Sequence, residues 1–174
     1  MIMTTLQTSP PLRFTKYDSK AAHNMWRASC GHHSIAAALG LSLQDVHTRM
    51  KQEWLDTRKG WMSPSDLEWL LRQCGATFQT TLGLQTLELK DGICRIQWEG
   101  PWLAKGQPIA KAYRRTHYIA IRGGWVLCTA LCPWAWIPER SWRGEINRLS
   151  RTAPATGWHV THWYECPQII VGGH

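Results

Sequence analysis

The stretch Ser29-Cys30-Gly31-His32-His33-Ser34-Ile35-Ala36-Ala37-Ala38-Leu39-Gly40 decides how this chain is read. Three consecutive alanines favour helix, and Ile35 and Leu39, four residues apart, fall on one face. Gly40 supplies the stop. The pattern predicts a buried helix over Cys30 to Leu39, with a cysteine in its first turn. There the unpaired N–H groups and the helix dipole favour an anion. They favour thiolate over thiol, and the thiolate is the nucleophile.

Working outward, residues 1–20 carry Thr, Ser and the Pro10-Pro11 pair and read as an irregular N-terminal arm. Ordered structure is expected from Ala21. Ser42 followed by Asp45 is a capping-box variant, and Leu43, Val46, Met50 and Trp54 line one face of a second helix. Ser63-Pro64 opens a third, with Leu67, Leu70 and Leu71 as its apolar stripe and Gly75 after its end.

The second half changes period. Residues 77–82 and 93–98 read as short strands, and Asp91-Gly92 as a hairpin turn between Leu87–Leu89 and Ile93–Trp98. His117-Tyr118-Ile119-Ala120-Ile121 is a strand, Gly123-Gly124 a tight turn, and Trp125 to Leu131 the return strand. Pro138 opens a helix through Leu149, and Gly157 precedes a last strand, Trp158 to Tyr164. Helices first and antiparallel strands after give an α+β domain over residues 21–166, with a tail at 167–174.

Bulk properties narrow the function. A chain of 174 residues suits one domain and buries about two-thirds of its unfolded surface. The net charge is +8, yet the basic residues are scattered; only Lys111 to Arg115 cluster. No signature of an RNA-binding module accompanies them, so nucleic acid is not the expected partner. No apolar run approaches the length of a membrane span. The N-terminus lacks a secretory pattern, and the six cysteines are expected as free thiols. The expected location is the cytoplasm of a bacterial host cell or a virion.

A nucleophilic cysteine needs a base, usually a histidine from elsewhere in the fold. His117 begins a short apolar strand, which places its ring at a strand end that can face the start of the Cys30 helix. Asn24, six residues before Cys30, can offer an amide to a developing oxyanion beside the Cys30 N–H.

Cys first, His later, and helices followed by a small antiparallel sheet resemble a papain-like cysteine peptidase. Residues Ser29 to Leu39 are similar to the Cys-Gly-Pro-x-x-Leu helix of the bacteriocin-leader-peptidase-like group. Thr116-His117-Tyr118-Ile119-Ala120-Ile121 is similar to that group's His-aromatic-Val-Val-Val strand. The small size also resembles papain-like proteins of bacteriophages and prophages. The resemblance implies N-terminal helices packed on the sheet, Cys30 as nucleophile and His117 as general base, then acid. Asn24 stands where the family has Gln as oxyanion donor. Cys128 stands on the return strand where the family has the Asp or Asn that orients the histidine. A neutral thiol is a weak partner for that task. Gly-His-His in place of Gly-Pro-x puts His32 and His33 near the site.

Two function classes follow. The first is a cysteine hydrolase, a peptidase or amidase, acting without cofactor or metal on a protein or a peptidoglycan peptide. The second keeps the fold as a non-catalytic structural or binding module among other virion proteins, motivated by Cys128 in the acid's place. A zinc site from Cys128, Cys132, His159, His162 and Cys166 is set aside: residues four apart on a strand lie about 13 Å apart along it. His159 reads as a structural histidine, or one brought to the Cys30 site by neighbouring strands. Of the twelve tryptophans most fill the core, and the Trp134-x-Trp136 pair in a Pro-flanked loop is divided between core and surface contact.

Overall fold

The computed structural model describes residues 8–57, 59–83, 89–151 and 155–166. The first helix, α1 (Lys16–Trp26), starts inside the expected arm. Its start is a full capping box. The Asp18 N–H donates to Thr15 Oγ1, and the Asp18 carboxylate accepts from the Thr15 N–H at 2.7 Å. Those reciprocal bonds order the segment that its polar composition suggested was irregular. The tail at 167–174 lies outside the described residues.

Helix α2 (Cys30–Leu39) runs as expected and closes on Gly40 at φ 68°. Ser42 caps α3 (Leu43–His47) through the Asp45 N–H. The second expected helix is in fact two, because Lys51 is extended (ψ 138°) before α4 (Gln52–Asp56). The apolar pattern survives the break: Leu43, Val46, Met50 and Trp54 are all buried. Ser63 caps α5 (Pro64–Gln73), whose Asp66 also pairs with Lys59 at 2.8 Å.

Next come β1 (Gln79–Leu82), β2 (Gly92–Glu99), α6 (Ile109–Tyr113), β3 (Thr116–Arg122), β4 (Trp125–Cys128), β5 (Cys132–Pro138), α7 (Glu139–Ser150) and β6 (Gly157–Glu165). They build a six-stranded antiparallel sheet in the order β1-β6-β2-β3-β4-β5. Asp91-Gly92 opens β2 without a hairpin partner before it. Leu89 belongs to no strand, Leu87 lies outside the described residues, and β2 pairs with β3 and β6. The expected return strand stops at Cys128. Leu131 N–H bonds Cys128 O, the chain reverses, and β5 comes back along β4.

Alternation along the strands splits the apolar residues into two cores. Ile93, Tyr118, Ala120, Leu127 and Tyr164 face α1, α2, α3 and α5. Cys94, Ile96, Ile119, Ile121, Val126 and Cys128 face α7, whose Trp142 and Ile146 are fully buried against them. The result is an α+β arrangement with the sheet between a helical layer and a single amphipathic helix. No helix among the described residues is long and apolar enough to cross a membrane.

Candidate active site around Cys30

Helix α2 starts against the middle of the sheet, and β3 supplies the contact. Trp98 N–H donates to Arg115 O, which turns the backbone groups of Arg115, His117 and Ile119 toward β2. Those of Tyr118 therefore point to the other side, where β4 pairs only with residues 120–122. The Tyr118 N–H has no strand to meet there and donates instead to Cys30 Sγ at 3.4 Å. Covalent geometry then holds the His117 Cα within about 6 Å of that sulfur.

The His117 ring faces the α7 side of the sheet, level with Ile96. Its Nε2 lies 3.4 Å from Cys128 Sγ. The position expected for an orienting acid thus does contact the histidine, with a thiol in place of a carboxylate. No hydrogen bond joins Cys30 Sγ to His117.

Burial sets the charge state. It pushes the Cys30 thiol up, against the pull of the backbone N–H groups of Tyr118, Gly31 and Cys30 itself. Burial also lowers His117 to about 4 and raises the Cys128 thiol. At neutral pH the resting site is a thiol and an imidazole. The helix start does not outweigh desolvation here, contrary to the thiolate expected from position alone.

His32 and His33 belong to the architecture of α2. His32 Nδ1 accepts from the Ser29 N–H at 3.0 Å, the task a glutamate performs in a capping box. The proton must then sit on Nε2, which is buried without a partner. Burial, first of all, holds this ring neutral, with a pKa lowered to about 3. His33 Nδ1 bonds Ser29 O and its Nε2 bonds Ser19 Oγ, both at 2.8 Å. That ties α1 to the start of α2.

Cys30 opens on a cavity of about 640 Å³. The wall opposite the β4–β5 turn is one face of α1: Lys16, Ser19, Lys20 and His23, continued by Arg27. Thr129, Pro133 and Trp134 form the other wall. Asn24, the residue expected as oxyanion donor, is exposed on α1 and outside this lining. His117 and Cys128 also lie outside it. The polar composition up to Lys20 reads as an arm and hides the α1 face. Thr15 with Asp18 three residues on is the signal that locates the helix.

The remaining expectations separate. Cys128 and Cys132 are cross-strand partners, since the turn between them reverses the chain; the 13 Å strand spacing does not apply. All six cysteines are free, and among the described residues no group of three or more His, Cys, Asp or Glu is placed to hold a metal. His159 bonds the Glu99 carboxylate at 3.0 Å, on strands away from Cys30. Trp134 and Trp136 divide between surface and core: the first is 39% exposed on the cleft, the second buried.

No model of a protein family, no curated protein and no solved structure matches the chain. Fold and site define an α+β chain in which a free cysteine at the start of a buried helix borders an open cleft.

Proposed function

We propose that the chain is a papain-like cysteine hydrolase, a peptidase or amidase. The observation that carries this reading is the bond from the Tyr118 N–H to Cys30 Sγ. It seats a helix-start cysteine against the residue that follows a strand histidine, and that histidine meets the side chain at the orienting position. In the tautomer that donates Nε2–H to Cys128 Sγ, Nδ1 is unprotonated and available as a base. The hydrolase requires the ring to leave its resting place at Cys128 and turn toward the thiol for the transfer. Cys30 Sγ then gives its proton to Nδ1 and attacks the carbonyl carbon. The tetrahedral oxyanion sits by the Cys30 N–H at the start of α2. The imidazolium returns the proton to the leaving amine, and the C–N bond breaks to leave a thioester. Water attacks the thioester while His117 takes its proton; the acid departs and the thiol is restored.

A second reading, a structural or binding module with a retired site, is favoured by the neutral resting pair and by the ring's place outside the cleft. Alkylation by iodoacetamide separates the two, with the labelled residue located by mass spectrometry. The hydrolase requires Cys30 to react faster than the other five thiols and to slow in His117→Ala. A Cys30 no faster than the rest, and indifferent to His117→Ala, overturns it in favour of the module.

A further inference from the structure

The cleft that meets Cys30 is built with one sign of charge. Successive helical residues turn by about 100°. Lys16, Lys20 and His23 therefore share the face of α1 turned into the cavity, and Arg27 extends it past the helix end. The helix's own carboxylate, Asp18, lies on the opposite side and is consumed by the Thr15 cap. Among the described residues no carboxylate lines the cavity. Among the described residues Lys16, Lys20 and Arg27 enter no ion pair. Across the cleft the Lys16 ammonium stands 5.1 Å over the Trp134 ring, which fixes one cation at the mouth. His23 Nδ1 lies 3.3 Å from Ala28 O, the loop that delivers the chain to Cys30. The three full charges thus line one wall of the approach to the thiol, in a concave site where low-dielectric walls concentrate their field.

We infer that this cleft selects an acidic peptide segment, with carboxylates flanking the carbonyl that Cys30 attacks. The inference rests on the hydrolase reading for the attack and on the α1 face for the selection. A peptide suits the site better than a nucleic acid, because a thiol nucleophile at the cleft floor calls for an acyl carbon. The carboxylates would pair with Lys20 and Arg27, and Trp134 would cover the adjoining apolar part of the peptide.

Two probes of the same reaction test the charge. Iodoacetate and iodoacetamide both alkylate thiols, and only the first carries a carboxylate. In low salt the ratio of iodoacetate to iodoacetamide rates at Cys30 should exceed that at Cys132, the other part-exposed thiol. The ratio should fall about tenfold in Lys20→Glu and with rising salt. Lys105→Glu makes the same charge change at an exposed site outside the cleft and should leave the ratio alone. Calorimetric titration with an acetylated tetraglutamate peptide reads binding without any reaction. Heat should appear with wild type and vanish with Lys20→Glu and with Arg27→Gln, while tetraglutamine gives none.

Fast, His117-dependent iodoacetamide labelling without an iodoacetate preference or peptide heat overturns the charge selection and leaves the hydrolase standing. Peptide heat with an unreactive Cys30 overturns the hydrolase, and with it the peptide as substrate. A ten-residue oligothymidylate that binds more tightly than the glutamate peptide overturns the acidic-peptide assignment in favour of a nucleic acid.

Discussion

The backbone N–H of Tyr118 donates to the sulfur of Cys30 across 3.4 Å, joining the first turn of α2 to the strand that carries His117. An amide that would be orphaned where β4 ends finds its acceptor in a side chain 88 residues earlier. Cys30→Ala removes that acceptor as well as the nucleophile. Cys30→Ser keeps a hydroxyl acceptor and is the cleaner control for chemistry.

The pH dependence of hydrolysis follows from the burial of His117. A base works only when unprotonated, and this imidazole sits near a pKa of about 4 rather than 6.5. The acid limb of kcat/KM should therefore fall near pH 4, leaving activity undiminished between pH 6.5 and 5. A limb near 6.5 would show that the ring titrates as an exposed histidine.

Cys128→Asp tests the orienting position. A carboxylate at hydrogen-bond distance from Nε2 favours the imidazolium, and such a neighbour shifts a pKa by about 1–3 units. The His117 resonance should titrate higher by NMR, and the His117-dependent labelling of Cys30 should accelerate. An unmoved titration would mean that residue 128 does not orient the ring.

Acid should unfold the protein through its buried histidines. His32 is held at about 3 in the folded chain against 6.5 in an exposed one, and His33 is also lowered, both chiefly by burial. Between those two values the unfolded chain binds protons that the folded chain refuses. The stability is present above pH 6.5 and is lost as pH falls through the window, with each such group contributing a slope of about 1.4 kcal/mol per pH unit. Urea midpoints measured from pH 7 to 4 should fall, and His32→Gln should flatten the decline. An equal decline in the variant would assign it to other groups.

Gly92 begins β2 at φ 138°, and a Cβ there would collide with the Tyr164 carbonyl oxygen of the neighbouring strand. Gly92→Ala should cost more than about 2 kcal/mol in denaturant unfolding, since backbone strain and a clash with main chain add. A loss under about 0.5 kcal/mol, the level of an ordinary surface change, would contradict the close strand approach.

Local chemistry made much of this fold legible. The Ala-rich run, Gly40, the Ser42 and Ser63 caps, and the Gly123-Gly124 turn each act within a few residues and fall where their patterns place them. β5 did not, because Cys132-Pro133-Trp134-Ala135-Trp136-Ile137-Pro138 reads as a Pro-flanked loop. It is an edge strand of the sheet, where a proline's missing N–H is tolerated. The order β1-β6-β2 was hidden too, since register is fixed by the buried faces of strands distant in sequence. At the site, spacing and residue type led to Cys30, His117 and Cys128. They did not reveal that His117 and Cys30 lie on different faces of β3, nor the cationic face of α1. Those depend on strand parity and on a cap whose meaning is clear only once the helix is seen.

β6 lies between β1 and β2, although it is the last strand among the described residues. The sheet therefore stays open down its middle until residues 157–165 have been synthesised and inserted, with pairs closing over 58 to 71 residues to β2. Such long-range closure slows folding. Until then β1 has no strand to pair with and β2 presents a bare edge, the kind of surface on which nascent chains associate with one another. On the ribosome the helical layer can collapse early, while the edge of β2 stays uncovered until β6 inserts beside it.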